Sequence, residues 1–181
     1  MLMNRTLLFA CLLLAPLPVR AADVECHTGE IFSVAVETYD DEAGARFAVS
    51  ATSREPKDKT CRFDPSQAEF IIGEKGDPLW FGALKDRFLV LTRSTGPQGD
   101  LVVHDLAARK KVLDVPADEF EIDGQSLIFW QRGEAASADN CPTFTQNEAN
   151  GMGSVLATGM VLDLASGKIA ETGETRCQAT Q

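Results

Sequence analysis

The sequence predicts an all-β, single-domain fold, and three observations carry that reading. Apolar and polar residues alternate with a period of two over many short runs. Clusters of Gly, Pro, Asp and Asn separate those runs, as turn chemistry requires. No long stretch shows a 3.6-residue apolar period behind a capping box, so helical signals are sparse. The expected architecture is an antiparallel β-sandwich or irregular barrel built from meander hairpins, with partial propeller-like blades as the alternative.

Residues 1–21 read as a secretory signal peptide. Arg5 precedes the apolar run 7–14, Pro16 and Pro18 follow it, and Val19 and Ala21 suit positions −3 and −1 of a cleavage site. The run is far shorter than the ~20 residues that span a bilayer, which predicts a leader and not an anchor. Residues 22–181 are then one β-rich domain, long enough to bury a real core.

Strand-like runs recur at 31–36, 46–51 and 69–73, the first two flanking the turn residues Asp40-Asp41-Glu42-Ala43-Gly44. The densest stretch is 88–131. Phe88 to Thr92 is apolar on both alternating faces, which places it centrally in a sheet covered on both sides. Gly96-Pro97-Gln98-Gly99 turns the chain into 101–106, and Ala107-Ala108-Arg109 turns it again into 110–115. Asp123-Gly124 reads as a two-residue hairpin loop. With both residues in the loop, Phe120 faces Leu127 and Asp118 faces Phe129 on an apolar side; Glu121 faces Ser126 and Glu119 faces Ile128 on an acidic side. Residues 132–153 form a long polar break, expected to be a loop, before a further strand at 155–164.

The formal charge is −10, and loss of Arg5 and Arg20 with the leader takes it to −12. Such a chain is a poor ligand for nucleic acid or for anionic membrane surfaces, both of which draw on cationic protein surface. It suits a basic protein partner. The leader also removes Cys11, leaving Cys26, Cys61, Cys141 and Cys177. An even count in an exported chain is a disulfide framework, and Cys26–Cys61 with Cys141–Cys177 is the pairing that clips each end of the chain locally. Each closes a loop of about 35 residues, which the chain-entropy model values at roughly 3–4 kcal/mol. Cys-x-x-Cys and His-x₃-His ligand pairs are absent, so a metal use of these cysteines is not expected.

One internal echo stands out. Val103-His104-Asp105-Leu106-Ala107-Ala108-Arg109-Lys110 is matched by Val161-Leu162-Asp163-Leu164-Ala165-Ser166-Gly167-Lys168, 58 residues on. Hairpins of this kind resemble those of β-propeller blades, although propeller repeats usually run about 40–50 residues. A second resemblance rests on Ser94-Thr95-Gly96-Pro97, Leu101-Val102-Val103-His104-Asp105-Leu106, Cys141-Pro142 and Thr172-Gly173-Glu174-Thr175-Arg176-Cys177. These pieces resemble a group of short exported proteins of Gram-negative bacteria that has no assigned function. The resemblance implies a periplasmic or secreted setting and carries no active site.

Catalytic and cofactor motifs are missing. There is no Gly-x-Ser-x-Gly elbow and no phosphate loop, and Gly151-Met152-Gly153 follows polar loop where a dinucleotide fingerprint needs a strand. Glu119-x-Glu121-x-Asp123-Gly124 mimics the start of a calcium loop, but Trp130 stands where the closing glutamate belongs. His104 and Asp105 are neighbours on a strand and point to opposite faces, so they form no dyad. No catalytic, cofactor or metal residue is assigned, and the oligomeric state is left open. The expected function is non-enzymatic binding of a cationic protein in the cell envelope, in an inhibitor or immunity role. Glu119, Glu121 and Asp123 on the hairpin, with Asp139, Asn140 and Phe144 of the polar break, form the candidate surface. The alternative is an envelope hydrolase acting through paired carboxylates.

Overall fold

The structure is a computed structural model describing residues 23–54 and 61–181; residues 1–21, read above as a leader, lie outside the described residues. Among these, twelve strands form three four-stranded antiparallel sheets, each a meander of consecutive strands. The first sheet holds β1 (Val24–Thr28), β2 (Phe32–Thr38), β3 (Ala45–Ala51) and β4 (Phe70–Ile72). The second holds β5 (Leu79–Lys85), β6 (Phe88–Arg93), β7 (Asp100–Asp105) and β8 (Lys110–Pro116). The third holds β9 (Phe120–Asp123), β10 (Ser126–Ala135), β11 (Gly153–Asp163) and β12 (Ile169–Thr180).

The sheets stack face to face with the second in the middle. Phe88, Leu89, Val90 and Leu91 of β6 are all fully buried, as a strand apolar on both sides must be to satisfy both faces. Leu89 and Leu91 pack with Phe32, Val34, Phe47 and Val49 of the first sheet. Phe88 and Val90 pack with Leu127, Phe129 and Leu162 of the third. Two sandwich-like interfaces thus share one central sheet, and no closed barrel forms. Neither apolar cluster joins the first sheet to the third.

One device repeats in all three sheets. The residue that follows the third strand donates its backbone N–H to the carbonyl of the residue that precedes the second strand: Thr52 to Ile31 (2.9 Å), Leu106 to Arg87 (2.8 Å) and Leu164 to Gln125 (2.8 Å). The echo noted in the sequence is the visible part of this repeat. Asp105 and Asp163 end the third strands of their sheets and accept backbone N–H bonds from Ala108 (3.0 Å) and Ser166 (2.6 Å). The left-handed position of each turn falls on Arg109 (φ 52°) and Gly167 (φ 75°). First strands also lie against one another: the His27 ring stacks on Phe81 at 3.5 Å, and a Cβ added to Gly82 would come within 2.9 Å of Phe120. The observed arrangement is three stacked four-stranded meanders with adjacent first strands, and they do not close into a ring.

Four elements were not anticipated. β1, β5 and β12 are strands, and the polar break at 132–153 is not a continuous loop. Its first residues extend β10 to Ala135, and a six-residue helix, α1 (Phe144–Ala149), packs against β11. Both disulfides join the expected partners, with Cα atoms 5.7 Å apart in Cys26–Cys61 and 5.3 Å in Cys141–Cys177.

The hairpin register differs from the expected one. Phe120 faces Phe129, not Leu127; Glu121 faces Ile128; and Asp123 faces Ser126. Gly124 takes positive φ (57°) while Asp123 and Gln125 do not, so the two-residue loop is Gly124-Gln125 with glycine first. That is the sequence demand of a type II′ turn; moving the loop on by one residue shifts each cross-strand partner by two, so the faces are not exchanged. Phe120 and Ile122 still pack on the apolar cluster, and Glu119, Glu121 and Asp123 are exposed.

Candidate functional site

The outward face of the third sheet collects the predicted acidic residues. Charge is distributed unevenly over the three layers. Residues 118–181 carry ten carboxylate side chains against three cationic ones, a net −7; 22–76 carries twelve against six, a net −6; and the central 77–117 carries five against six. β9 is an edge strand, so Glu121 and Asp123 stand at the margin of the sheet, both exposed. Glu119, just before β9, is engaged: its carboxylate accepts a hydrogen bond from Arg176 of β12, at the opposite edge.

That ion pair crosses the sheet above Trp130. The Arg176 guanidinium carbon lies 4.5 Å from the centre of the indole ring, within cation–π range. Trp130 faces Gly159 across the β10–β11 pair, and a Cβ on Gly159 would fall 3.5 Å from the ring and would clash with the Thr172 hydroxyl. The glycine therefore lets the indole lie down on the sheet. Arg176 also approaches Gln178 Oε1 at 3.5 Å.

Asp118 is the misplaced member of the hairpin. It does not face Phe129 on the apolar side but ties three segments together. Its Oδ1 accepts from Arg132 Nη1 (2.7 Å) and from the Gly99 backbone N–H (2.8 Å), and its Oδ2 accepts from Gln178 Nε2 (2.8 Å). Arg132 also donates to the Gly99 carbonyl at 2.6 Å. A carboxylate with three donors has no reason to seek an apolar face.

The predicted loop residues lie between β10 and β11. Asp139 and Asn140 are exposed, and the Asn140 side chain is a turn element accepting the Ser137 N–H at 2.8 Å. Phe144, half-buried, opens α1, which is fixed from below by buried Asn147 donating to Ser154 Oγ at 2.8 Å. The Cys141–Cys177 bridge tethers the loop to β12, one residue from Arg176.

A cleft in the first two sheets was not foreseen. β4 is only three residues long, and where it stops the facing surface of the second sheet is left open, forming a cleft of about 280 Å³. Ile72, Leu79 and Val102 supply its apolar wall; Arg93, His104 and Lys111 supply its polar one. Arg93 is held by Asp77 (2.8 Å), Asp100 (3.3 Å) and Asp114 (2.7 Å). The hydrogen bond from Arg93, followed by that from Lys111, outweighs burial and lowers the Asp114 pKa. Burial, and then the Lys111 charge directly across the strand pair, lower the His104 pKa. A free imidazole takes up its proton near pH ~6.5, and the folded cleft resists that proton. Stability is therefore whole above that pH and declines as pH falls from there toward the lower folded value. Denaturation midpoints between pH 8 and pH 5.5 should fall for the wild type and fall less for His104→Gln. Equal slopes for the two proteins would contradict the assignment.

No family model, curated protein or solved structure matches the chain. The resemblance to exported Gram-negative proteins thus gains nothing beyond the cysteine pairing it shares. Among the described residues no group of three or more His, Cys, Asp or Glu side chains is arranged to hold a metal ion, and no helix is long and apolar enough to cross a membrane.

The sequence reading missed Trp130, Arg176, Asp118 and Arg132 as a connected surface. The available signal was the acidic side of the hairpin, which continues onto Trp130 by strand alternation. Arg176 gave none, because a bulge in β12 between its pairings with Thr158 and Met160 decides which face it takes.

Proposed function

We propose that the chain is an exported, periplasmic or secreted, non-enzymatic protein that binds a basic protein partner through the outward face and β9 edge of its third sheet. An inhibitor or immunity role suits that chemistry, since its targets would be cationic proteins. The observation that carries the reading is the exposed acidic margin of the third sheet: Glu121 and Asp123 stand uncovered on its β9 edge, in a layer whose net charge is −7. Such a field raises association rates and selects against acidic partners. The two disulfides suit an oxidising compartment.

The hydrolase alternative draws less support. Its general acid would need a carboxylate with a raised pKa in a cleft, whereas Asp114 beside the cleft is ion-paired and lowered.

The test is affinity capture from a bacterial envelope extract, with partner identification, followed by kinetics on the identified protein. The expected partner is basic. Its association rate should fall as ionic strength rises, because the Debye length shrinks to about 8 Å at 0.15 M. Glu121→Lys with Asp123→Lys should slow association about 5–10-fold at low salt and change dissociation little. Association that ignores both salt and the double reversal would remove the charge argument and the function with it.

A further inference from the structure

Arg176 is in an unusual position for a structural tie. It belongs to an edge strand, its side chain remains 35% exposed, and its partner Glu119 is 62% exposed and 57 residues away in the chain. The contact joins no core to another. It lays a guanidinium on Trp130 at 4.5 Å and gives that same guanidinium a carboxylate. An aromatic plate with a carboxylate at its rim is a complete receptor for an arginine side chain, since the planar cation stacks on the ring while its N–H groups bond the carboxylate. Of the three cations in the layer, Arg132 is committed to Asp118 and Lys168 sits in the β11–β12 connection. Only Arg176 is seated over the indole.

We infer that Trp130 and Glu119 form an arginine-recognition site on the partner-binding face, and that Arg176 occupies it in cis as a stand-in for an arginine of the basic partner. This rests on the function proposed above and adds a residue-level specificity: arginine in preference to lysine, and a site that must release Arg176 before it can be used. A lysine ammonium can neither stack as a plane nor fork to a carboxylate, so charge alone would not satisfy the site. Because the competent state is the fraction with Arg176 swung away, the apparent affinity is reduced by that fraction.

The experiment uses the whole folded protein and two fluorescein-labelled peptides, alternating arginine–glycine and alternating lysine–glycine, followed by anisotropy at low salt. Arg176→Ala should bind the arginine peptide about tenfold more tightly than wild type, which is about 1.4 kcal/mol, and gain little more than its charge change for the lysine peptide. Arg176→Gln, which keeps a long side chain on the edge strand, should behave similarly and guards against a local folding defect. Adding Trp130→Leu to Arg176→Ala should erase the arginine preference, with melting used to verify that each variant is folded. If folded Arg176 variants gain equally for both peptides, or gain nothing, Arg176 is an ordinary surface tie and the inference is lost. The broader function survives that result as long as Glu121→Lys with Asp123→Lys still weakens binding of both peptides. Loss of that effect as well would overturn both.

Discussion

Replacing Phe88 with alanine is expected to cost about 3–5 kcal/mol of folding stability, the range for deleting a buried aromatic side chain. Phe88 is 0% exposed at the start of β6 and sits in the cluster that glues the second sheet to the third. No other layer is available to take over that role, because the third sheet borrows its core from this one face. The loss combines removed apolar area with the cavity left behind, and a rigid sheet backbone closes such a cavity poorly. Urea denaturation should show a lower midpoint with little change in slope. A decreased slope would mean that the third sheet had already come away in the native state. A loss under about 1 kcal/mol would show that the interface between these sheets is not packed as described.

Much of this architecture could be read from the residues, because the central meander obeys local rules. Strands β6 to β10 alternate or are apolar on both faces, and turn residues stand at their joins, so the period-two pattern and the punctuation agree. The strands that escaped did so for separate reasons. β12 is wet along most of its length, with Glu171, Thr172, Gly173, Glu174 and Thr175 all exposed, so no apolar alternation marks it. β5 carries Gly82 where Phe120 crosses it closely and has a bulge between Phe81 and Ala83, which breaks the period. β1 is a five-residue edge strand.

The echo between 103–110 and 161–168 was legible as a similarity but not as a repeat. Its spacing of 58 residues exceeds a propeller period because the third sheet inserts residues 136–152, including α1, between its second and third strands. The hydrogen bonds from Thr52, Leu106 and Leu164 make the equivalence plain, and backbone bonds leave no sequence signature. For the candidate site, alternation correctly exposed Glu119, Glu121 and Asp123. The pairing of Trp130 with Arg176 depends on a sheet-wide register, and that no local pattern encodes.

Asp118→Ala should be the most damaging single change among the polar residues, costing about 2–4 kcal/mol. The carboxylate is 20% exposed and Arg132 13%, so both groups have given up most of their water in exchange for each other. Truncating Asp118 strips the Gly99 N–H, one Arg132 nitrogen and Gln178 Nε2 of their acceptor at once. An unpaired, largely desolvated guanidinium is the dearest of these, which is why breaking such a pair costs more than the pair contributes. Arg132→Ala should be comparably harmful, since it leaves the carboxylate behind. The double variant should then be less unstable than the two losses added together, by about 1–3 kcal/mol. Asp118→Asn offers a finer reading, because its carbonyl oxygen still accepts from Gly99 while the charge is gone, so its cost should lie between wild type and alanine. Additive single and double losses would mean that Arg132 is solvated in solution, and that the second and third sheets are held together by their apolar faces alone.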